Sequence, residues 1–293
     1  TVQEWYDAKH ATSSIFEIEF INSLDIKQCP FCGSNDFTKY GHKKDGTQKY
    51  VCKDCGRQFT PLTNTIFDSK KIPISEWIEY LLHLFEFHSI NSTAYDNRNS
   101  PTTGKYWLIK TFEVLKGIQD DVVLDGTVYL DETYFTKVKS KLVTKDGKKL
   151  RGISRNKIGV GVACNETKSI FIVTGTSKPS RKSTIETYGK HIARGSVLVH
   201  DDEHSHSILI EELELESIVY PTKETKGLSD KENPLYPVNN LHLLLKQFIR
   251  NHGGYDREHL QDWLNLFWFI MNEPKDKYDK VLKFIELAVL SPK

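Results

Sequence analysis

The sequence predicts an α/β fold, with a mixed β-sheet flanked by helices, for the part of the chain that begins near Gly126. Three runs rich in β-branched and aromatic residues come first, at residues 127–135, 158–164 and 170–176. Helical and strand patterns then alternate, and the last third of the chain is helical. In order, we predict a helix at 183–193, a strand at 197–200, a helix at 205–215, a short strand at 217–220, and helices at 238–250, 258–271 and 277–287.

Two of the predicted strands end in acidic residues. Asp131 and Glu132 interrupt the first apolar run, and Asp201 and Asp202 follow the fourth. Burying an ionised carboxylate is costly unless it is paired or binds a metal ion. One alternative is a strand end whose acids reach water. Two strands that each deliver an aspartate nevertheless indicate a shared site for divalent metal ions.

The order of these elements is that of a ribonuclease-H-like fold. In that order the first and fourth strands lie side by side, so Asp131 and Asp201 are expected to be neighbours. His242 lies in the first turn of the helix at 238–250, from where its side chain could point back at the carboxylates. A lone histidine on a helix is more often structural, but the two aspartates make this one a candidate third ligand.

Four of the five cysteines form two Cys-x2-Cys pairs, Cys29 with Cys32 and Cys52 with Cys55. Two such pairs bring four thiolates to one tetrahedral Zn²⁺, and no coordination position is left open for catalysis. We therefore predict a structural zinc ribbon with hairpin strands at 38–40 and 48–51, preceded by a short amphipathic helix. Its basic residues, with Tyr40, Tyr50 and Phe59 between them, suit contact with the DNA backbone, although many ribbons bind protein instead.

Helical patterns follow the second cysteine pair. Ser75 is predicted to cap the first of these helices, and Ser100 to cap the last, with Pro101 in its first turn. Three short helices with a turn before the last match a helix-turn-helix, and a plain helical linker domain is the alternative. The first helix is predicted to begin at residue 74, and the other two to span residues 91–97 and 102–118.

Bulk composition is that of a soluble globular protein. Hydrophobic residues make up 38% of the 293 residues and charged residues 27%, and the net charge of +1 argues neither for nor against nucleic acid. The charge is unevenly distributed, because lysines and arginines cluster in residues 137–157. No apolar stretch approaches the roughly 20 residues that span a bilayer, and the first residues show no signal peptide. A cytosolic setting without a membrane partner is expected.

Several blocks of the sequence resemble those of a known family. They are Tyr50-Val51-Cys52-Lys53-Asp54-Cys55-Gly56-Arg57-Gln58-Phe59, the segment 124–135 around Asp131, residues 151–154, the strand 197–201 that ends in Asp201, and residues 238–248 around His242. Together they resemble the bacterial insertion-sequence DDE transposases that carry an N-terminal zinc ribbon. One branch of that family has histidine as its third catalytic residue, which His242 fits. The chain departs from that branch at His206, where tyrosine is usual, and at Phe248, where tryptophan is usual.

This resemblance implies cleavage of DNA at the ends of a mobile element, followed by strand transfer into target DNA. Asp131, Asp201 and His242 would be the catalytic residues and would bind Mg²⁺ or Mn²⁺. Two such ions roughly 3.5–4 Å apart can activate the nucleophile and neutralise the transition state. Asp131 would bridge them and Asp201 would hold one. His242 would complete the other, or act as a proton shuttle, since Mg²⁺ prefers oxygen ligands.

The expected partners are double-stranded DNA, at terminal inverted repeats and in the target, and a second copy of the chain in a homodimer or higher oligomer. The protein would be cytoplasmic, bacterial and nucleoid-associated. The predicted domains are 1–66 (helix and zinc ribbon), 67–120 (helix-turn-helix) and 121–293 (catalytic). Residues expected to contact DNA are Lys43, Lys44, Arg57, Thr102, Thr103, Lys105, Lys110, Lys149, Arg151, Arg155 and Lys246.

Two other functions remain open from the sequence. A metal-dependent nuclease would cut DNA without joining it. A catalytically inactive or domesticated zinc-ribbon regulator would bind DNA without cutting it.

Overall fold

The computed structural model describes residues 14–68, 73–97, 99–136, 146–147, 152–153, 157–176, 178–253 and 257–290. The chain divides into two compact units, one formed by residues up to Val114 together with those from Pro274, and the other by Leu115–Glu273. Most of the basic segment 137–157 lies outside the described residues. The expected DNA contacts of Lys149, Arg151 and Arg155 therefore remain predictions.

The first unit begins with a helix and a small antiparallel sheet of strand order β1-β2-β3. The side chain of Asn22 ties the helix to the hairpin, because it donates to the carbonyl of Gly46 and accepts from the backbone N–H of Gln48. The helix and the hairpin are where the sequence predicted them, and the two-residue third strand is an addition. The elements are α1 (Ser14–Ser23), β1 (Phe37–His42), β2 (Gln48–Cys52) and β3 (Gln58–Phe59).

Three helices follow in the same unit: α2 (Ile74–Phe85), α3 (Ile90–Asp96) and α4 (Pro101–Leu115). Trp77 stacks on Trp107 at 4.5 Å between ring centroids, which joins α2 to α4. A Cβ on Gly104 would lie 2.9 Å from the Cβ of Ala94, so the backbones of α3 and α4 approach closely because this residue is glycine.

The two predicted helix caps had different outcomes. Ser100 accepts a hydrogen bond from the backbone N–H of Thr103 at 3.2 Å, and α4 starts at Pro101, so this cap is confirmed. The prediction for Ser75 was wrong, because α2 starts one residue earlier. The carboxylate of Glu17 accepts from the backbone N–H of Ile74 at 2.5 Å and so replaces a serine cap.

The last helix of the chain, Lys277–Leu290, belongs to this first unit. It contacts α2 through Phe85 and Phe284, whose ring centroids are 6.1 Å apart, and through an ion pair between Lys277 and Glu86. The sequence placed this helix in the domain 121–293. The chain returns to its first unit here, which a linear division into domains cannot represent.

The second unit is built on a mixed five-stranded sheet of order β6-β5-β4-β7-β8. The strands β4, β5 and β6 form an antiparallel meander, while β7 runs parallel to β4 and β8 runs parallel to β7. The first and fourth strands of the unit are therefore neighbours, as predicted. The strands are β4 (Thr127–Thr136), β5 (Lys157–Cys164), β6 (Ser169–Thr176), β7 (Val197–His200) and β8 (Glu216–Val219).

Helices flank this sheet. They are α5 (Arg181–Tyr188), α6 (Ser207–Leu213), α7 (Thr222–Thr225), α8 (Tyr236–Asn251) and α9 (Leu260–Met271), with single 3-10 turns at His204–His206 and Arg257–His259. Val128 and Leu130 of β4 share a buried cluster with Tyr188 of α5 and Leu209 of α6. Because side chains alternate along a strand, Asp131 lies on the opposite face, where α8 packs against β4 and β5. Among the described helices, none is long and apolar enough to cross a membrane.

Candidate functional site

The four cysteines of the two pairs converge. Their sulfur atoms all lie within 4.8 Å of one another, with 3.7 Å between the Sγ atoms of Cys29 and Cys55 and 3.6 Å between those of Cys32 and Cys52. Cys29 and Cys52 are buried, and Phe59 packs against them. Four sulfurs at these spacings fit one tetrahedral ion with Zn–S bonds of about 2.3 Å.

The aromatic residues between the basic residues of this sheet have two different roles. Tyr50 and Phe59 stack at 5.5 Å, and each makes an edge contact with Phe37, so they form the interior of the small sheet. Tyr40 is 51% exposed and carries Lys49 over its ring. Of the three aromatic residues expected to suit DNA contact, only Tyr40 presents its ring to solvent.

The basic residues of the sheet are mostly on its surface. Lys43 and Lys44 are exposed in the β1–β2 turn, and Arg57 is exposed with its guanidinium 4.9 Å from the ring centroid of Phe31. Lys53 pairs with Asp36 at 2.7 Å, so its charge is partly neutralised. The turn is therefore the part of this sheet that offers cationic side chains to an anionic partner.

The helix α4 presents a continuous face to solvent. Thr102, Lys105, Tyr106 and Ile109 are exposed at helical spacing, and Thr103 is half-buried next to them. Lys110 pairs with Glu113 at 2.9 Å and lies near the ring of Tyr106. Its charge is already matched, which sets Lys110 apart from Lys105.

The two aspartates stand at adjacent ends of the parallel strands β4 and β7. Leu130 pairs with His200 in the register of these strands, so the residues that follow, Asp131 and Asp201, are neighbours. Asp131 accepts from the backbone N–H of Glu132, and Asp201 accepts from the backbone N–H of Glu203. Their side chains are 25% and 27% exposed, so both reach a partly open surface.

His242 is brought to the same place by α8. Its Nδ1 lies 3.7 Å from the Oδ2 of Asp131, and the residue is 6% exposed. Its Nε2 is buried and has no hydrogen-bond partner among the described residues. Burial, with the nearby charge of Lys246, lowers the pKa of His242 to about 4, so the ring is neutral at pH 7. The nitrogen that faces Asp131 is Nδ1, so Nδ1 is the atom of the neutral imidazole that could bind a metal ion shared with that carboxylate.

The charges at this site are unbalanced. Burial raises the pKa of Asp131 to about 7, and the charges of Asp201 and Glu132 add to the rise. Burial also raises the pKa of Asp201. Among the described residues, neither aspartate forms an ion pair with a lysine or arginine. Two carboxylates and a neutral imidazole fit a divalent cation, whose charge would remove the repulsion between the acids.

The structure separates the two neighbouring acids after β7. Asp202 is exposed, whereas Asp201 turns inward and lies 3.8 Å from the Nδ1 of His206. Asp201 therefore remains the candidate ligand of the two.

A second polar network lies behind the aspartates, and the sequence did not predict it. Glu132 points to the opposite face of β4 from Asp131, and its side chain is only 4% exposed. It accepts from the hydroxyl of Tyr188 at 2.8 Å and lies 3.3 Å from the Nε2 of His206. The Nδ1 atoms of His206 and His200 are 3.1 Å apart, and the Nε2 of His200 is 3.0 Å from the hydroxyl of Ser217.

The protonation of the network follows from its surroundings. Burial opposes the charging of His206, but its hydrogen bond to Glu132 and the charges of Glu132 and Asp201 raise its pKa overall. Burial and the neighbouring His206 lower the pKa of His200 to about 4. Because a carboxylate only accepts hydrogen bonds, the Nε2 of His206 is the donor to Glu132. These hydrogen bonds hold the turn that carries Asp201.

Gly161 is needed for this arrangement. It pairs with Glu132 across β4 and β5, and a Cβ at this position would lie 2.2 Å from the hydroxyl oxygen of Tyr188. Only glycine leaves room for that hydroxyl to reach Glu132. The signals available in the sequence were the acid next to Asp131 and the two histidines on either side of Asp201.

Comparisons with known proteins give a short sequence match and a broader structural one. No protein-family profile matches the chain. An uncharacterized protein in transposable element ISH50 of Halobacterium salinarum is 26% identical over 76 residues, which is 26% of this chain and 24% of that protein. The chain thus matches about a quarter of the length of this relative.

Several solved structures resemble the chain in three dimensions. A pre-cleavage Mos1 transpososome is 13% identical with a TM-score of 0.30, over 72% of this chain and 75% of that one. The Mos1 mariner paired-end complex with Mn is 14% identical with a TM-score of 0.32, over 71% and 75%. A simian T-cell lymphotropic virus intasome is 9% identical with a TM-score of 0.34, over 67% and 69%.

Proposed function

We propose that this protein is a transposase of an insertion sequence, which cleaves DNA at the ends of the element and joins them to target DNA. The observation that carries the proposal is the register that ends β4 and β7 side by side at Asp131 and Asp201, with His242 of α8 at 3.7 Å from Asp131. The short match to a protein of a transposable element agrees with it.

The donor set defines which residues would hold metal ions. Asp131 and Asp201 would bind Mg²⁺ or Mn²⁺ through their carboxylate oxygens, and His242 would complete the site through an imidazole nitrogen. Bound there, such ions would activate the attacking hydroxyl and neutralise charge on the phosphate. A pKa near 4 makes His242 a weak base at neutral pH, which favours the ligand role over that of a proton shuttle.

Other residues of the chain would position Asp201 and contact the DNA. His206 lies 3.3 Å from Glu132 and 3.8 Å from Asp201, and its hydrogen bonds would hold the turn that carries Asp201. Lys246 is exposed one turn after His242, where it would contact a DNA phosphate. No side-chain nucleophile is required, because water and a DNA 3′-hydroxyl are the attacking groups.

The first unit would recognise DNA. We propose that the four-cysteine sheet is a zinc ribbon and that α2, α3 and α4 include a helix-turn-helix. Lys43, Lys44 and Arg57 would bind phosphates, while Thr102, Thr103 and Lys105 would face the duplex from α4. Two DNA ends must be cut and joined, so two copies of the chain are expected to assemble on them.

The proposal is tested by incubating the full chain with Mn²⁺ and a duplex that contains the DNA flanking its gene, together with a supercoiled target plasmid. Nicked ends and joined products are expected, and Asp131→Asn should abolish both while leaving DNA binding intact. The matched control is Asp202→Asn, the exposed neighbouring acid, which should retain activity.

Other outcomes would assign a different function. Nicking without joined products would favour a metal-dependent nuclease. DNA binding without any metal-dependent nicking would favour a regulator. Undiminished nicking by Asp131→Asn would refute the proposed site.

A further inference from the structure

A third group of metal-binding side chains lies in the first unit and shares no residue with the other two sites. His83 is in the last turn of α2, His88 follows that helix, and Asp96 is the final residue of α3. One ligand atom from each of these residues lies within 4.8 Å of the others.

The backbone at the end of α2 folds so that the two histidines meet. The N–H of His88 donates to the carbonyl of His83 at 3.1 Å, and the N–H of Phe87 donates to Leu84 at 3.2 Å. This is a Schellman closure, which requires a left-handed residue at Phe87, where φ is 66°. The left-handed conformation is unfavourable for a bulky residue, so the turn is strained. The rings of His83 and His88 consequently stack, with centroids 5.1 Å apart.

One polar atom of this group lacks a hydrogen-bond partner. The Nδ1 of His83 is buried and has no hydrogen-bond partner among the described residues. It lies 3.7 Å from the Oδ2 of Asp96, which is too long for a hydrogen bond. Neighbouring ligands around a tetrahedral ion with bonds of about 2.0–2.2 Å are about 3.4 Å apart. The observed spacing is therefore close to that of two ligands of one ion.

The donor types indicate which ion would bind. Two imidazole nitrogens and one carboxylate oxygen suit a divalent transition metal better than Mg²⁺ or Ca²⁺, which prefer oxygen ligands. Three protein ligands leave a fourth position for water, so the site would be more exchangeable than a closed set of four thiolates.

We infer that His83, His88 and Asp96 form a second zinc site, which fastens the end of α2 to the end of α3. The inference does not depend on the proposed catalytic function. It gives the strained turn at Phe87 a role, because metal binding would hold both histidines in the conformation that the turn imposes.

The test is the zinc content of the full chain in an Asp131→Asn, Asp201→Asn background, because Asp201 forms with His200 and His206 another group that could hold zinc, and Asp131 is its neighbour. After equilibration with zinc and removal of the loosely bound ion, this parent is expected to hold two zinc ions per chain. His88→Ala is expected to hold one. The matched control is His259→Ala, since His259 pairs with Asp262 at 3.0 Å and lies in no described metal-binding group. It should leave both ions in place.

A second variant guards against misfolding of the first. Asp96→Asn keeps the shape of the side chain but removes its charge, and it should weaken zinc binding at this site by more than about tenfold without changing the circular dichroism spectrum. A single zinc ion in the parent, or two in His88→Ala, would overturn the inference and leave His83 and Asp96 as an ordinary ion pair. Zinc-edge anomalous diffraction should place the second ion between these three side chains.

Discussion

The four-cysteine cluster and the cluster of Asp131, Asp201 and His242 are assembled in opposite ways. The cysteines lie on two turns of one small sheet, and Cys29 and Cys55 are only 26 positions apart. The aspartates and His242 come from two strands and a helix that are distant in sequence and meet only when the second unit folds. One cluster would create its fold by binding metal, whereas the other depends on a fold that already exists.

The two clusters also differ in whether they leave a position open to another molecule. Four thiolates close a tetrahedral ion completely, so the cysteine site is suited to stability alone. The aspartate side chains are about one quarter exposed, and their repulsion is not relieved by any described lysine or arginine. A site of this kind stores unfavourable charge and leaves room for a substrate. We therefore expect stability and reactivity to depend on different parts of the chain.

Removal of one thiolate from the four-cysteine cluster should have the largest effect. Cys52→Ser should abolish zinc binding at the four-cysteine cluster and unfold residues 26–60, because structural zinc sites of this type contribute about 10–16 kcal/mol. Hydrogen exchange should show loss of protection in β1 and β2 while β4 and β5 remain protected. The control replaces the fifth cysteine. The Cys164→Ser variant should keep the zinc ion of the four-cysteine cluster. Retained protection in β1 and β2 would mean that the sheet folds without metal.

Removing the negative charge of Asp131 should stabilise the metal-free protein, in contrast to the loss of a thiolate. The pKa of Asp131 is about 7 in the folded protein against 3.8 for the free side chain. The folded state therefore holds this proton more tightly, and the metal-free protein should lose up to about 4 kcal/mol of stability as the pH rises from about 4 to about 7.

Asp131→Asn cannot ionise and should lack this part of the pH dependence. Urea unfolding of the metal-free protein at about pH 5 and about pH 8 would measure it, with the exposed Asp202→Asn as the control. An identical pH dependence in Asp131→Asn and the parent would show that folding does not raise the pKa of this carboxyl group.

Addition of Mn²⁺ should stabilise the protein, and this stabilisation should depend on Asp131. Mn²⁺ at about 100 times its dissociation constant should stabilise the second unit by about 2.7 kcal/mol. At one fixed Mn²⁺ concentration the gain should be larger at about pH 8 than at about pH 6, because below its pKa Asp131 must lose a proton before it can bind the ion, which raises the dissociation constant. Thermal unfolding with and without Mn²⁺ would measure this. An equal gain in Asp131→Asn would locate the ion elsewhere.

The network behind Asp201 should contribute less. Tyr188→Phe removes the hydroxyl that donates to the buried Glu132, at a cost of about 2 kcal/mol in the free energy of unfolding. It should also weaken Mn²⁺ binding by about tenfold, because His206 and the turn carrying Asp201 lose their fixed partner. Tyr95→Phe is the control, since Tyr95 is 82% exposed. Unchanged Mn²⁺ affinity would limit the network to a structural role.

The smallest expected effect concerns the turn of the four-cysteine sheet. Replacing Lys43 and Lys44 by glutamine should weaken DNA binding and reduce its dependence on log salt concentration by about 2, close to one for each lost phosphate contact. Lys53→Gln should change the slope less, because Lys53 is paired with Asp36. Equal slopes for the double variant and the parent would remove this turn from the DNA interface.

The comparison also explains what the sequence could predict. The two Cys-x2-Cys pairs are visible as local spacing, and the order of strands placed β4 beside β7. The role of Glu132 was missed because it depends on Tyr188, His206 and the absence of a Cβ at Gly161, which come from separate elements. The Ser75 cap was wrong for the same reason, since Glu17 takes its place from another helix. Local chemistry was readable, and contacts made by distant residues were not.

The central claim is that Asp131, Asp201 and His242 bind divalent metal ions together. Anomalous diffraction from crystals of the full chain soaked in Mn²⁺ tests it most directly. A manganese peak is expected between the carboxylates of Asp131 and Asp201, about 2.0–2.3 Å from an oxygen of each. A structure at neutral pH with excess Mn²⁺ and no peak within reach of Asp131 would contradict it.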